Sequence, residues 1–379
     1  MTPRAYSVAR VAAPAVEAHL RRHHDLAFSQ GWENLAPVAD ADVIEAIVEA
    51  GFWASLRREE GRVPKISLAF LPPAQSAGAM LFDRRIPLQP GALARLAPAV
   101  ERPGIHLGVW RDEQRLYVWG ATRSLPNVCL VLEVVEPGLL VVKYSRDEEY
   151  GKFGNVAVLR GDQVDVVDEE RATDPGSPVL LASLLGIDRP RPWLNKSNVL
   201  VQLAVSMRAH GHGGLLLVVP AATQDWQASA VLPIPYRISS SFGRLAELIV
   251  QDPSERDGDA WREALRRAVE GIAGVTAVDG ATVLNDRYEL LAFGVKIKRL
   301  EGAATVGQVV VTEPVVGNEP AVLEPGEIGG TRHLSAAQFV HDQRNALALV
   351  ASQDGRFTVF AWSDRYRLVQ AHRIDALLF

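Results

Sequence analysis

Two periods of hydrophobic residues alternate along the chain. Val43, Ile44, Ile47 and Val48 share one helical face, Asp40 or Asp42 can cap it, and Gly51 stands where a stop belongs, which predicts a helix over 40–50. A first helix is expected over Val8–Leu26, interrupted at Pro14 and carrying the basic cluster Arg21-Arg22-His23-His24 as a solvated face. Pro90–Ala97 reads as a short helix with proline in its first turn and Pro98 ending it. Ile66–Leu71 reads as a strand closed by Pro72-Pro73. Three hairpins follow: Ile105–Trp110 with Leu116–Trp119, Val128–Val135 with Leu139–Tyr144, and Val156–Leu159 with Val164–Val167. The alternating aromatics Trp110, Tyr117 and Trp119 fit core or cross-strand packing.

Asp188-Arg189-Pro190-Arg191-Pro192 cannot continue a regular element, so a boundary is placed there, giving regions 1–192 and 193–379. The second region opens with a helix over Asn198–His210, a glycine-rich turn at His210–Gly214 and the all-apolar strand Leu215–Val219. A helix over Ile238–Val250, a polar loop over Gln251–Gly258 and an amphipathic helix over Trp261–Ile272 are expected next. Two short β-rich runs, Val275–Val278 and Thr282–Leu284, then flank Asp279-Gly280-Ala281. Residues 298–327 are long for a structureless connection, and Val309–Val311 can form an extra strand there. A helix over Ala336–Arg344 and a hairpin of Leu347–Ala351 with Phe357–Trp362 complete the pattern. The fold class is therefore α/β (α+β): a helix-plus-hairpins N-terminal domain and a C-terminal mixed sheet with flanking helices.

Composition narrows the function classes. The chain has 379 residues, 48% hydrophobic and 22% charged, enough for two sizeable cores. A net charge of −5 gives no overall basic field for nucleic acid. The one cysteine, Cys129, lies in an apolar run and excludes an intrachain disulfide, in keeping with a reducing cytoplasm. No apolar run is long enough for a membrane helix, and Met1-Thr2-Pro3-Arg4 does not begin a signal peptide. A cytoplasmic protein without membrane or nucleic-acid partners is expected.

Chemistry concentrates at Gly329-Gly330-Thr331-Arg332-His333-Leu334-Ser335, a glycine-led turn running into a helix. Free helix N–H groups, the hydroxyls of Thr331 and Ser335, the Arg332 guanidinium and the His333 imidazole suit a polyphosphate, although an ordinary helix start has the same outline. Together with Asp279-Gly280-Ala281, the run Gly330-Thr331-Arg332-His333-Leu334-Ser335-Ala336 resembles the diadenylate cyclase domain, the nucleotide-cyclising module of the DNA-integrity scanning protein. The resemblance spans about Val199 to Tyr366 and leaves the first half unassigned, a sensory or regulatory domain in the most economical reading.

The resemblance implies condensation of two ATP molecules into cyclic di-AMP, with release of two pyrophosphates. It implies Asp279 as the catalytic carboxylate and ligand of Mg²⁺ or Mn²⁺, Gly280 and Ala281 leaving room for the nucleotide, and Thr331, Arg332, His333 and Ser335 holding the triphosphate. It also implies a homo-oligomer, at least a face-to-face dimer. DNA binding is not expected to carry over. Two positions depart from the family pattern: Leu334 replaces a second arginine, and Gln353 stands where an acidic residue is usual, with Asp354 adjacent. Leu334 is expected to turn inward against neighbouring strands or to face a second chain. The alternative is a degenerate cyclase domain that binds nucleotide as a sensor.

Overall fold

The computed structural model describes residues 5–59, 61–112, 115–146, 153–168, 196–251 and 259–378. The chain divides into two units, Met1–Val167 and Asp168–Phe379, each built on its own sheet. The expected linker at 188–192 and most of the polar loop, 252–258, lie outside the described residues. Among the described residues no helix is long and apolar enough to cross a membrane.

In the first unit, α1 (Ser7–Ser29), α2 (Ala41–Ser55) and α3 (Pro90–Leu96) pack on one face of an eight-stranded sheet. Its strands are β1 (Ile66–Phe70), β2 (Met80–Pro87), β3 (His106–Asp112), β4 (Arg115–Thr122), β5 (Leu130–Glu136), β6 (Leu139–Ser145), β7 (Phe153–Arg160) and β8 (Gln163–Val166), in the order β2-β4-β3-β1-β5-β6-β7-β8. β1 and β3 run parallel, while the three expected hairpins pair antiparallel. Alternation along β1 sends Ile66, Leu68 and Phe70 under the helices, and Ala69 to the opposite face with Leu71, Cys129 and Val131. Burial there pushes the Cys129 thiol well up, leaving it an inert core group.

Two expectations fail in this unit. α1 continues through Pro14, because Ala9, Ala12, Ala13 and Val16 around it are buried in the core and tertiary packing outweighs the missing N–H. α2 runs past Gly51 to Ser55. Gly51 is buried in the middle of the helix, where a Cβ would come within 2.6 Å of Leu132 Cδ2, so the small residue serves packing. Asp40 does cap α2, accepting a hydrogen bond from the Val43 N–H at 3.0 Å.

The second unit has α4 (Lys196–Ala209), α5 (Arg244–Val250), α6 (Asp259–Val275), α7 (Pro325–Ile328) and α8 (Thr331–Asp342). Its strands are β9 (Gly214–Val219), β10 (Tyr236–Phe242), β11 (Ala281–Asn285), β12 (Leu290–Val295), β13 (Val309–Thr312), β14 (Ala321–Leu323), β15 (Leu347–Ala351), β16 (Phe357–Ser363) and β17 (Leu368–Arg373), in the order β10-β12-β11-β9-β15-β16-β17-β13-β14. Leu216 and Val218 pack with α4, α5 and α6, while Leu215, Leu217 and Val219 pack with Ala336, Phe339 and Val340 of α8. β9 is apolar throughout because helices cover it on both faces.

The expected helix over Ile238–Val250 is instead β10 followed by the shorter α5, held in place by pairing of β10 with β12. Val275–Val278 is no strand. α6 ends at Val275, and Thr276 caps the turn by donating its hydroxyl to Ala273 O at 2.6 Å. Asp279-Gly280 is therefore a helix-to-strand connection. The long 298–327 segment holds the β13–β14 hairpin and α7, and β13 runs parallel to β17.

Two buried histidines set an acid limit on stability. Burial pulls His106 down to about 4, opposed by Glu133 and aided by Lys143, and burial pulls His372 down to about 3. Between the ordinary histidine value of about 6.5 and these values, the unfolded chain binds protons that the folded chain refuses, so stability must fall as pH is lowered. Each histidine should cost up to about 1.4 kcal/mol per pH unit in that window. Denaturant unfolding at stepped pH checks this, and a midpoint that stays constant from neutral pH to about pH 4 would contradict it.

Candidate functional site

Strand register places the two sequence motifs at one end of the second sheet. β11 is parallel to β9 with Ala281 opposite Leu215, so the turns leading into them, Gly211-His212-Gly213 and Asp279-Gly280, lie side by side. β15 is antiparallel to β9 with Ala351 opposite Gly214, which brings the 352–356 turn to the same end. The N-terminus of α8 arrives there too. Gly213 has φ +70°, and a Cβ on it would sit 2.6 Å from Arg332 Nη1. Glycine at 213 thus leaves the space that the guanidinium occupies.

Asp279 and Arg332, distant in sequence, act on each other electrostatically. Asp279 Oδ2 accepts a hydrogen bond from Lys296 Nζ at 2.6 Å, with the carboxylate side chain 92% exposed. Lys296 foremost, with Arg332 adding to it, holds the Asp279 carboxyl below the usual carboxylate range. Lys296 was not foreseen from the sequence. A hairpin register would have found it: it follows Val295 of β12, which pairs with Ala281, so the returning strand carries a lysine past Asp279. Gly280, at φ +116°, permits this close approach, since a Cβ there would lie 2.5 Å from the Gly294 carbonyl carbon. Next to it the exposed ring of Tyr236 stacks on Phe293 at 4.7 Å.

The other expected site residues divide. Gly330 is the N-cap of α8 and has no side chain to cap it, so the N–H groups of Thr331 and Arg332 head the helix without an intrahelical partner. Thr331 is exposed and Ser335 half-buried one turn further on. His333 turns into the core, 6% exposed, edge-on to Phe360 at 6.0 Å. Burial first, then the charge of Arg373, lowers its pKa, so it is neutral at neutral pH and brings no cation. Ala281 is likewise buried in the core. Leu334 does not turn inward. It is 41% exposed, at the margin of the buried stripe formed by His333, Ala336, Ala337, Phe339 and Val340.

The closing turn is tied to the same end. Gln353 Nε2 donates to His212 O at 3.4 Å, and Asp354 pairs with Arg356 at 3.4 Å. Among the described residues no group of three His, Cys, Asp or Glu side chains could hold a metal ion. Asp279 offers one carboxylate, so a hard cation would fit only with further oxygens, such as those of a polyphosphate.

Residues 33–123 match the family model described as "Probable sensor domain DACNV". The matched residues include α2, α3 and β1 to β4, in the first unit. No curated protein matches the chain. Among solved structures, a hypothetical membrane spanning protein from Bacillus cereus is similar at 16% identity, over 51% of this chain and 71% of that one, with a TM-score of 0.28. A double mutant of DacA from Staphylococcus aureus is similar at 12% identity, over 46% of this chain and 83% of that one, with a TM-score of 0.24. Both likenesses are too remote to assign a function.

The electrostatics of the second-unit site can be tested without a ligand. Replacing Lys296 by Met should raise the Asp279 pKa toward its ordinary value, and adding Arg332→Ala should raise it further. Carboxyl-carbon NMR titration of Asp279 reads this directly. An Asp279 value that does not move in Lys296→Met would show that the ion pair does not set it.

Proposed function

We propose that the second unit condenses two ATP molecules into cyclic di-AMP and that the first unit is a sensor that regulates it. The observation carrying this reading is the meeting of Asp279 and Arg332 at one sheet end, with Gly213 leaving room for the guanidinium. The motif resemblance supports the chemistry, and the family match over 33–123 supports the sensory role.

In this mechanism Arg332 and the leading N–H groups of α8 hold the phosphates, with Thr331 and Ser335 beside them. Asp279 faces the ribose 3′-hydroxyl as a carboxylate, the ordinary state of an exposed aspartate at neutral pH, and Lys296 and Arg332 lower its pKa further. Each 3′-oxygen attacks the α-phosphorus of the other ATP; the bond from that phosphorus to pyrophosphate breaks, and the hydroxyl proton passes to solvent. Two ATP molecules yield one cyclic product and two pyrophosphates. A divalent Mg²⁺ or Mn²⁺, held by Asp279 and phosphate oxygens, would supply charge neutralisation. The protein supplies position: one chain presents one nucleotide, so a second copy must face it. Exposed Leu334 suits that apposition better than it suits phosphate.

One observation favours the second reading, a nucleotide-binding domain without turnover. Asp279 already holds an ammonium, Lys296, where a catalytic carboxylate would take a metal. Incubating the full chain with ATP and Mg²⁺ or Mn²⁺, with product analysis by mass spectrometry, separates the two. Cyclic di-AMP should form with wild type and not with Asp279→Asn. ATP binding with no product under either metal at high protein concentration would replace the enzyme by the sensor.

A further inference from the structure

The face of the first sheet opposite α1, α2 and α3 carries polar side chains for which the proposed chemistry has no use. Ser67 on β1, His106 on β3, Glu133 on β5 and Lys143 on β6 come from four neighbouring strands, with the apolar ring of Phe153 on the next strand, β7, beside them. Ser67 Oγ and His106 Nδ1 are 2.7 Å apart. Lys143 Nζ donates to Glu133 Oε2 at 2.6 Å. The Phe153 ring meets His106 edge-on at 5.8 Å and lies 6.0 Å from Lys143 Nζ. The rings of His106 on β3 and Phe153 at the start of β7 thus meet across β1, β5 and β6.

The cluster is a costly thing to keep on such a face. The Lys143 side chain is 8% exposed, beside the buried apolar residues Ala69, Val131 and Cys129. Desolvation of a buried ion pair cancels much of its attraction, so the pair is weak evidence for a stabilising role. Glu133, at 30%, keeps one side open to an incoming molecule. Convergent polar groups set among apolar side chains are the usual lining of a small-molecule site.

We propose that this cluster binds a small zwitterion of the α-amino acid type, its carboxylate on Lys143 and its ammonium on Glu133. The charges of the cluster select that class. Lys143 and Glu133 cancel, and Ser67 and neutral His106 add donors and acceptors without charge. A lone anion is repelled by Glu133 and a lone cation by Lys143. A molecule carrying both charges a few ångströms apart exchanges one ion pair for two, while Phe153 offers an apolar wall to its side chain. The assignment goes beyond the family match, which ends at residue 123 and leaves Glu133, Lys143 and Phe153 outside it.

Calorimetric titration of the full chain with each standard α-amino acid tests this, with acetate and methylamine as singly charged controls. At least one amino acid should bind at millimolar affinity or tighter, and neither control should. Lys143→Met and Glu133→Gln should each weaken binding at least about tenfold. Each single variant leaves one charge of the pair without its partner, so the double variant Lys143→Met/Glu133→Gln is measured beside them; it should keep the melting temperature and lose binding. The proposal is overturned if no amino acid binds wild type, if a control ion binds as well as the amino acids, or if the folded double variant still binds.

Discussion

Everything at the candidate site depends on how closely backbone and side chains approach at the starts of β9 and β11. Gly213 gives Arg332 a place against the turn before β9, and Gly280 lets the start of β11 touch Gly294. A side chain at either position would push apart the cation and the carboxylate that the two turns bring together. The parallel pairing of β9 with β11 then fixes their relation, because the helices on both faces of the sheet bury β9 completely. Packing far from the site thus positions an exposed carboxylate and a half-buried guanidinium.

That exposure decides what the Asp279–Lys296 pair is for. An ion pair in water adds little to stability, since solvent and salt screen it. It lowers the Asp279 pKa, and both partners remain open to solvent. His333 contributes differently from a phosphate clamp: buried and neutral, it fills the space beside Gly329 and braces the first turn of α8 against Phe360. The positive charge near Asp279 therefore comes from Arg332 and Lys296.

The turns of the candidate site stood out in the sequence more clearly than the elements that carry them. Asp279-Gly280 and Gly330-Thr331-Arg332 were legible because glycine and charged residues at turns have few packing reasons to be there. Lys296 was not, since its role comes from pairing between β11 and β12, which lies in register and not in composition. Val275-Thr276-Ala277-Val278 has strand-forming residues, yet α6 buries Ile272 and Ala273 and runs on to Val275 before the turn, so packing overrode propensity. Ile238–Val250 misled for the opposite reason: edge pairing with β12 drew a helix-like stretch into β10. In the first unit the three hairpins were legible from alternation, whereas in the edge strand β2 the charged run Asp83-Arg84-Arg85 separates Phe82 from Ile86, the two residues that pack partly on the core, and breaks the alternation.

In the proposed function Asp279 and Arg332 form one nucleotide site with divided roles, the carboxylate serving the reacting hydroxyl and metal, the guanidinium the phosphates. Calorimetry with a non-cyclisable ATP analogue on wild type, Asp279→Asn and Arg332→Ala tests it most directly. Arg332→Ala should lose about tenfold or more in affinity, the cost of one charge-assisted contact, while Asp279→Asn keeps most of it. Equal loss in both variants, or no binding by wild type, would contradict the account.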